Sequence, residues 1–211
     1  MARPHCKDAF CHKVNGLALG RRAVALGLVT VGVTWTIVCI SSCVPNAHAQ
    51  SKPNEYQVKA AYLYNFGRFI EWPTSVTPAK GDPFTICVLG QDPFGPALNT
   101  ALADEAINGQ NVVARRIPSP QAAVNCRILF ISASEGDQLK QILAILGDAS
   151  VLTVSDLPQF TQHGGMVQLV LDGNKVRFEV NLTPVERAHL AMSSQLLKVA
   201  VNVRRSAQIG D

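Results

Sequence analysis

The chain has 211 residues, 47% of them hydrophobic, and a formal net charge of +4, enough for one globular domain with its own core. The excess charge lies in residues 1–49, where Arg3, Lys7, Lys13, Arg21 and Arg22 stand against one acid, Asp8. The rest carries fourteen bases and fourteen acids, which leaves no basic surface for nucleic acid and excludes that class of function.

In chain order, a positive stretch ending in Arg21-Arg22 precedes an apolar run from Ala23 to Ile40, and Ala47-His48-Ala49 follows. Small residues at the first and third positions before a bond fit a signal peptidase, so residues 1–49 read as an export signal cut after Ala49. An uncleaved anchor competes, but it needs about 20 apolar residues, and glycines and threonines interrupt this run. Ile40-Ser41-Ser42-Cys43 resembles a lipobox, which would leave a lipidated Cys43 at a membrane surface. Arg21-Arg22 lacks the flanking residues of a twin-arginine motif. The expectation is an exported protein whose residues 50–211 form one domain.

Asn54, with Gln57 three residues on, predicts a capping box and a helix from Glu55 to about Ile70. Its apolar stripe is Tyr56, Ala60, Leu63, Phe66 and Ile70, and Pro73 ends it by restricting Trp72. A Pro/Gly/Thr loop covers 74–83. Phe84 to Leu89 is a continuous apolar strand, Pro96 to Ala103 a short helix, and Val112 to Ile117 and Arg127 to Ile131 further strands. Ser134 is expected to cap a helix reaching Leu146, with Leu139, Ile142, Leu143 and Leu146 inward. Val151 to Val154 is a short strand. Met166–Leu171 and Lys175–Val180 flank Asp172-Gly173-Asn174, a hairpin signal. Thr183-Pro184-Val185-Glu186 starts a helix. Ser193 or Ser194 caps a last one, with Leu196, Leu197, Ala200 and Val203 inward. The fold class that follows is α/β: a mixed sheet covered by helices in a single compact domain, with a C-terminal hairpin and two helices.

Catalytic motifs are missing. His163 and His189 are not spaced for a metal and no H-E-x-x-H occurs. Gly90 to Gly95 has the glycine spacing of a phosphate loop, but Pro96-Ala97 stands where Lys and Ser/Thr are needed. No G-x-S-x-G elbow exists, so no enzyme activity and no cofactor are expected. Cys87 and Cys126 are the only cysteines after the leader; a disulfide suits an exported domain, against two buried apolar thiols. The first helix is aromatic on more than one face (Tyr56, Tyr62, Tyr64, Phe66, Phe69, Trp72), which suits core packing and, for any exposed members, an interface. Arg68, Glu71, Arg177 and Glu179 could meet at one sheet end, although the period of two turns Arg177 and Glu179 away from Val176, Phe178 and Val180.

The segments Lys59-Ala-Ala-Tyr-Leu-Tyr-Asn-Phe-Gly-Arg-Phe-Ile-Glu-Trp-Pro73, Thr85-Ile-Cys-Val-Leu-Gly90, Cys126-Arg-Ile-Leu-Phe-Ile-Ser132 and Arg177-Phe-Glu-Val-Asn-Leu182, in this order, resemble the YfiR/HmsC-like family of periplasmic proteins. The resemblance implies a regulator, often dimeric, that represses an inner-membrane diguanylate cyclase by binding its periplasmic sensor region, lowering cyclic-di-GMP and biofilm formation. It also implies a Cys87–Cys126 pair, while the second, C-terminal cysteine pair of some members has no counterpart. Some members hold a small nucleotide or aromatic ligand with basic groups beside the Trp-Pro motif and before the last helix; Glu71 and Ala191–Ser193 stand there, without a base. Arg68, Glu71 and Trp72 are the candidate partner- or ligand-binding residues. The alternative function is a small-ligand binding or sensor domain for a nucleotide or amino acid.

Overall fold

The computed structural model describes residues 54–74 and 81–205. The expectations for the export signal, its cleavage after Ala49 and a lipidated Cys43 lie outside them. Helix α1 (Glu55–Phe69) begins at the anticipated box: the Asn54 side chain accepts from the backbone amide of the first turn, and Gln57 Oε1 accepts from the Asn54 amide at 2.7 Å. Strand β1 (Ile70–Glu71) follows directly. Next come β2 (Phe84–Leu89), α2 (Pro96–Leu102), β3 (Ala106–Ile107), β4 (Gln110–Ile117), a 3-10 segment (Pro120–Asn125) and β5 (Ile128–Ile131). A second 3-10 segment (Ala133–Gln138) leads into α3 (Leu139–Leu146), followed by β6 (Leu152–Ser155) and the hairpin β7 (Val167–Asp172) and β8 (Lys175–Asn181). The described chain ends with α4 (Leu182–Arg187), β9 (Ala191–Met192), α5 (Ser194–Val199) and β10 (Asn202–Arg204).

Eight strands form one mixed sheet in the order β10-β8-β7-β6-β5-β2-β4-β3, while β1 and β9 pair separately. From β4 to β7 every neighbouring pair is parallel; β8 runs against β7, and β10 runs with β8. The fold class is thus the expected one. The period of two sorts each buried strand between two cores. Phe84, Ile86 and Val88 of β2 face α1, α2, α4 and α5 together with Phe130, Val154 and Phe178. Cys87 and Leu89 face α3 with Leu129, Ile131 and Phe160. A strand lying between two helical layers must be apolar on both sides, which is why β2 and β5 read as unbroken apolar runs.

Several local expectations need correction. Ser134 does not cap a helix: Ser132 precedes a 3-10 turn, and the Ser134 hydroxyl instead accepts from the Gln91 amide at 2.9 Å. The cap of α4 is Asn181 and not Thr183: the Asn181 side chain accepts from the Thr183 amide, and an Asn two residues earlier offers the same kind of oxygen as Thr would. Ser193, of the two serines considered, caps α5. Val203 is not on the inner face of a last helix. That helix stops at Val199, and the chain turns into strand β10, where Val203 is 41% exposed. Arg204 lies in the same strand.

Candidate interaction surface

In chain order the five parallel strands lie second, first, third, fourth, fifth across the sheet. The order reverses between β2 and β5, where an open α/β sheet offers a crevice beyond the strands' carboxyl ends. Here that crevice is filled. Gly90 holds φ +87°, and a side chain on it would run into Ser134 and Glu135. Phe94 closes the floor, edge-on to Phe130 at 4.7 Å and to Tyr56 at 5.6 Å. The glycine-bounded loop beside it holds its own carboxylate: Asp92 accepts from the Phe94 amide and from Arg116 Nε and Nη2 at 2.9 and 2.7 Å.

The same edge carries a buried ion pair. Lys59, with a side chain only 4% exposed, lies 2.6 Å from Asp156 and 2.5 Å from Glu55. Tyr56 donates its hydroxyl to the same Asp156 oxygen at 3.2 Å. Burial alone would lower the Lys59 pKa, but its hydrogen bonds to Asp156 and Glu55 outweigh burial and hold it above 10.5. The cluster bolts the first turns of α1 to the end of β6. A signal for it lay in the sequence, since Lys59, Leu63, Phe66 and Ile70 follow one helical stripe; a lysine on that stripe calls for an acid. Its i+4 spacing from Glu55 is also that of an ordinary surface pair.

Between α1 and the hairpin lies an open groove of about 560 Å³ with Val58, Tyr62 and Val176 along it and Glu55 and Lys175 among its charged residues. Tyr62 donates to the Val176 carbonyl at 3.0 Å and so fixes the helix against the hairpin. Sequence reading gave no sign of this groove, because it arises from two segments more than 100 residues apart.

The motif residues Arg68, Glu71 and Trp72 lie at the opposite, amino-terminal edge of β2. Ile70 and Glu71 pair antiparallel with Met192 and Ala191, and the Ser193 amide donates to the Phe69 carbonyl at 2.9 Å. The Trp-Pro motif and the segment before α5 are therefore one surface. Trp72 packs edge-on against Phe84 at 5.3 Å, half-buried, and its buried Nε1 has no acceptor among the described residues. Glu71 is exposed, and Arg68, also exposed, lies over the Tyr64 ring. The four-residue polar cluster does not form. Val176 and Phe178 face α1; Glu179 lies on the other side of the sheet, where it accepts from Thr161 Oγ1, and Arg177 is among the residues lining the groove beside the hairpin.

Cys87 and Cys126 form a disulfide with a Cα separation of 5.9 Å, inside the α3-side core and away from the motif surface. A family profile described as YfiR/HmsC-like matches residues 56–201. The chain belongs to the YfiR/HmsC-like family. That membership points to a periplasmic regulatory role and away from catalysis. Among solved structures, a protein described as a conserved domain protein from Vibrio cholerae shares the fold at a TM-score of 0.52 and 10% identity, over 73% of this chain and 62% of that one. A domain from Streptococcus pneumoniae, described as the ABC domain in complex with L-Trp, reaches a TM-score of 0.43 at 12% identity over 57% of this chain and 56% of that one. This family member thus spans less than two thirds of either chain's length. Among the described residues, no helix is long and apolar enough to cross a membrane.

Proposed function

We propose that this protein is an exported periplasmic regulator that holds down an inner-membrane diguanylate cyclase by binding the cyclase's periplasmic region. Membership of the YfiR/HmsC-like family is the observation that carries the reading. The surface joining Arg68, Glu71 and Trp72 to Ala191–Ser193 supports it, because an aromatic flanked by exposed charges suits the centre of a protein interface. Deleting the gene should raise cyclic-di-GMP, and supplying the wild-type chain should bring it down again; unchanged cyclic-di-GMP after deletion would contradict the reading.

The groove between α1 and the β7–β8 hairpin favours a second, compatible reading as a small-ligand sensor. Its volume lies in the range of small-molecule sites, and it has apolar walls with one acid and bases at hand. A ligand at 100 times its Kd adds about 2.7 kcal/mol to stability, so a thermal-shift screen with nucleotides and amino acids is the direct check. Flat melting temperatures across the screen would remove this reading.

A further inference from the structure

The groove between α1 and the hairpin has a lining whose chemistry discriminates among small molecules. Part of it is aliphatic: Val58 is half-buried on α1, and Leu171, 55% exposed, stands opposite Val176 across the hairpin. The aromatic member, Tyr62, packs its ring against Phe66 and Phe178 and donates its hydroxyl to the Val176 carbonyl. Recognition of a nucleotide base relies on rings open to stacking, and the Tyr62 ring already serves the core. The charged members are two bases, Lys175 and Arg177, and one acid, Glu55. Among the described residues neither base has an acid within ion-pair distance, and the buried Nε of Arg177 has no acceptor. An unpaired buried donor is costly, and a carboxylate can take two N–H groups of one guanidinium. By contrast, the ammonium of an amino acid meets only Glu55, which already holds Lys59.

We infer that the groove takes a medium-chain aliphatic monocarboxylate, with its carboxylate on Lys175 and Arg177 and its chain along Val58, Leu171 and Val176. A single negative charge offsets the excess of two bases over one acid in the lining. An apolar arm removes Leu171 from water, which favours binding in proportion to the area covered. The inference rests on the groove being a ligand site, as in the sensor reading, and goes beyond that reading in the ligand it names.

The test is a titration of the purified, isotope-labelled chain with hexanoate, octanoate, decanoate, acetate and octanol, read by amide chemical shifts and by melting temperature. Octanoate should bind saturably, with shifts at Val58, Tyr62 and the hairpin from Leu171 to Arg177. Along the carboxylate series each added methylene should tighten binding by up to roughly fourfold. Acetate, which lacks the arm, and octanol, which lacks the charge, should each bind at least roughly tenfold more weakly than octanoate. Arg177→Leu, which removes an unpaired donor, should keep the melting temperature and lose at least roughly tenfold in octanoate affinity. Lys175→Gln, at an exposed position, should lose roughly fivefold, and Lys198→Gln on α5 should lose nothing. Octanol binding as tightly as octanoate, shifts confined to residues outside the groove, or affinity unchanged in both Arg177→Leu and Lys175→Gln would each overturn the inference. So would groove shifts produced by nucleotides or amino acids but not by octanoate, a result that leaves the sensor reading standing. Flat responses to every compound would remove both.

Discussion

Lys59 occupies a position that the helical stripe of α1 would give to an apolar side chain, and its cost in that place is met by Asp156, Glu55 and the Tyr56 hydroxyl. Breaking a buried pair leaves an uncompensated charge, and the Asp156 side chain is only 11% exposed. Lys59→Ala should therefore lower unfolding free energy by about 3 kcal/mol in a denaturant titration, whereas Lys140→Ala, on an exposed stretch of α3, should change it little. The pH dependence has a definite sign. The folded-state pKa of Lys59 is raised above 10.5, so its contribution is fully present below that value and is lost as pH rises through the higher folded pKa. Tyr56 acts in the same direction: burial first, then Asp156, raises its pKa above 10.0, and the unfolded chain gains by ionising earlier. Melting temperature should fall more steeply above about pH 10 in the original chain than in Lys59→Ala.

At the scale of elements, the disulfide joins the middle of β2 to Cys126, two residues before β5, at a sequence separation of 39. The chain-entropy relation gives about 4 kcal/mol for a loop of that size. Replacing both cysteines by alanine should lower the melting temperature by about 10 °C without altering the fold, since both side chains belong to an otherwise apolar core. The long elements were legible for a physical reason. β2 and β5 are buried on both faces and so show continuous apolar runs, and α1 announces itself by a capping box and a proline stop. β1, β3, β9 and β10 were not legible, because two or three residues cannot display a period. For the same reason the exposed Val203 reads as an inner helical residue in the sequence, although it and Val201 lie exposed while Leu196 is buried. Arg68, Glu71 and Trp72 could be picked out as one local cluster, but that they abut Ala191–Ser193 depends on the β1–β9 pairing, which is a contact across more than 100 residues.

Across the whole molecule, the crevice where an open α/β sheet would bind its ligand is closed by Phe94, Ser134 and the Asp92–Arg116 pair. What remains outward is the motif surface at the opposite edge, the groove beside the hairpin and the edge strand β10. A protein with its central crevice closed and its aromatic motif at the rim is suited to being read by another protein, and that is the central claim. It is tested most directly by titrating the purified periplasmic region of the proposed partner cyclase with this chain in a calorimeter. The account predicts saturable binding that is weakened by at least roughly tenfold in Trp72→Ala, a loss of about 1.4 kcal/mol or more, and that is unchanged in Lys198→Ala, an exposed residue of α5. No heat of binding at any concentration, or binding that Trp72→Ala leaves untouched, would contradict it.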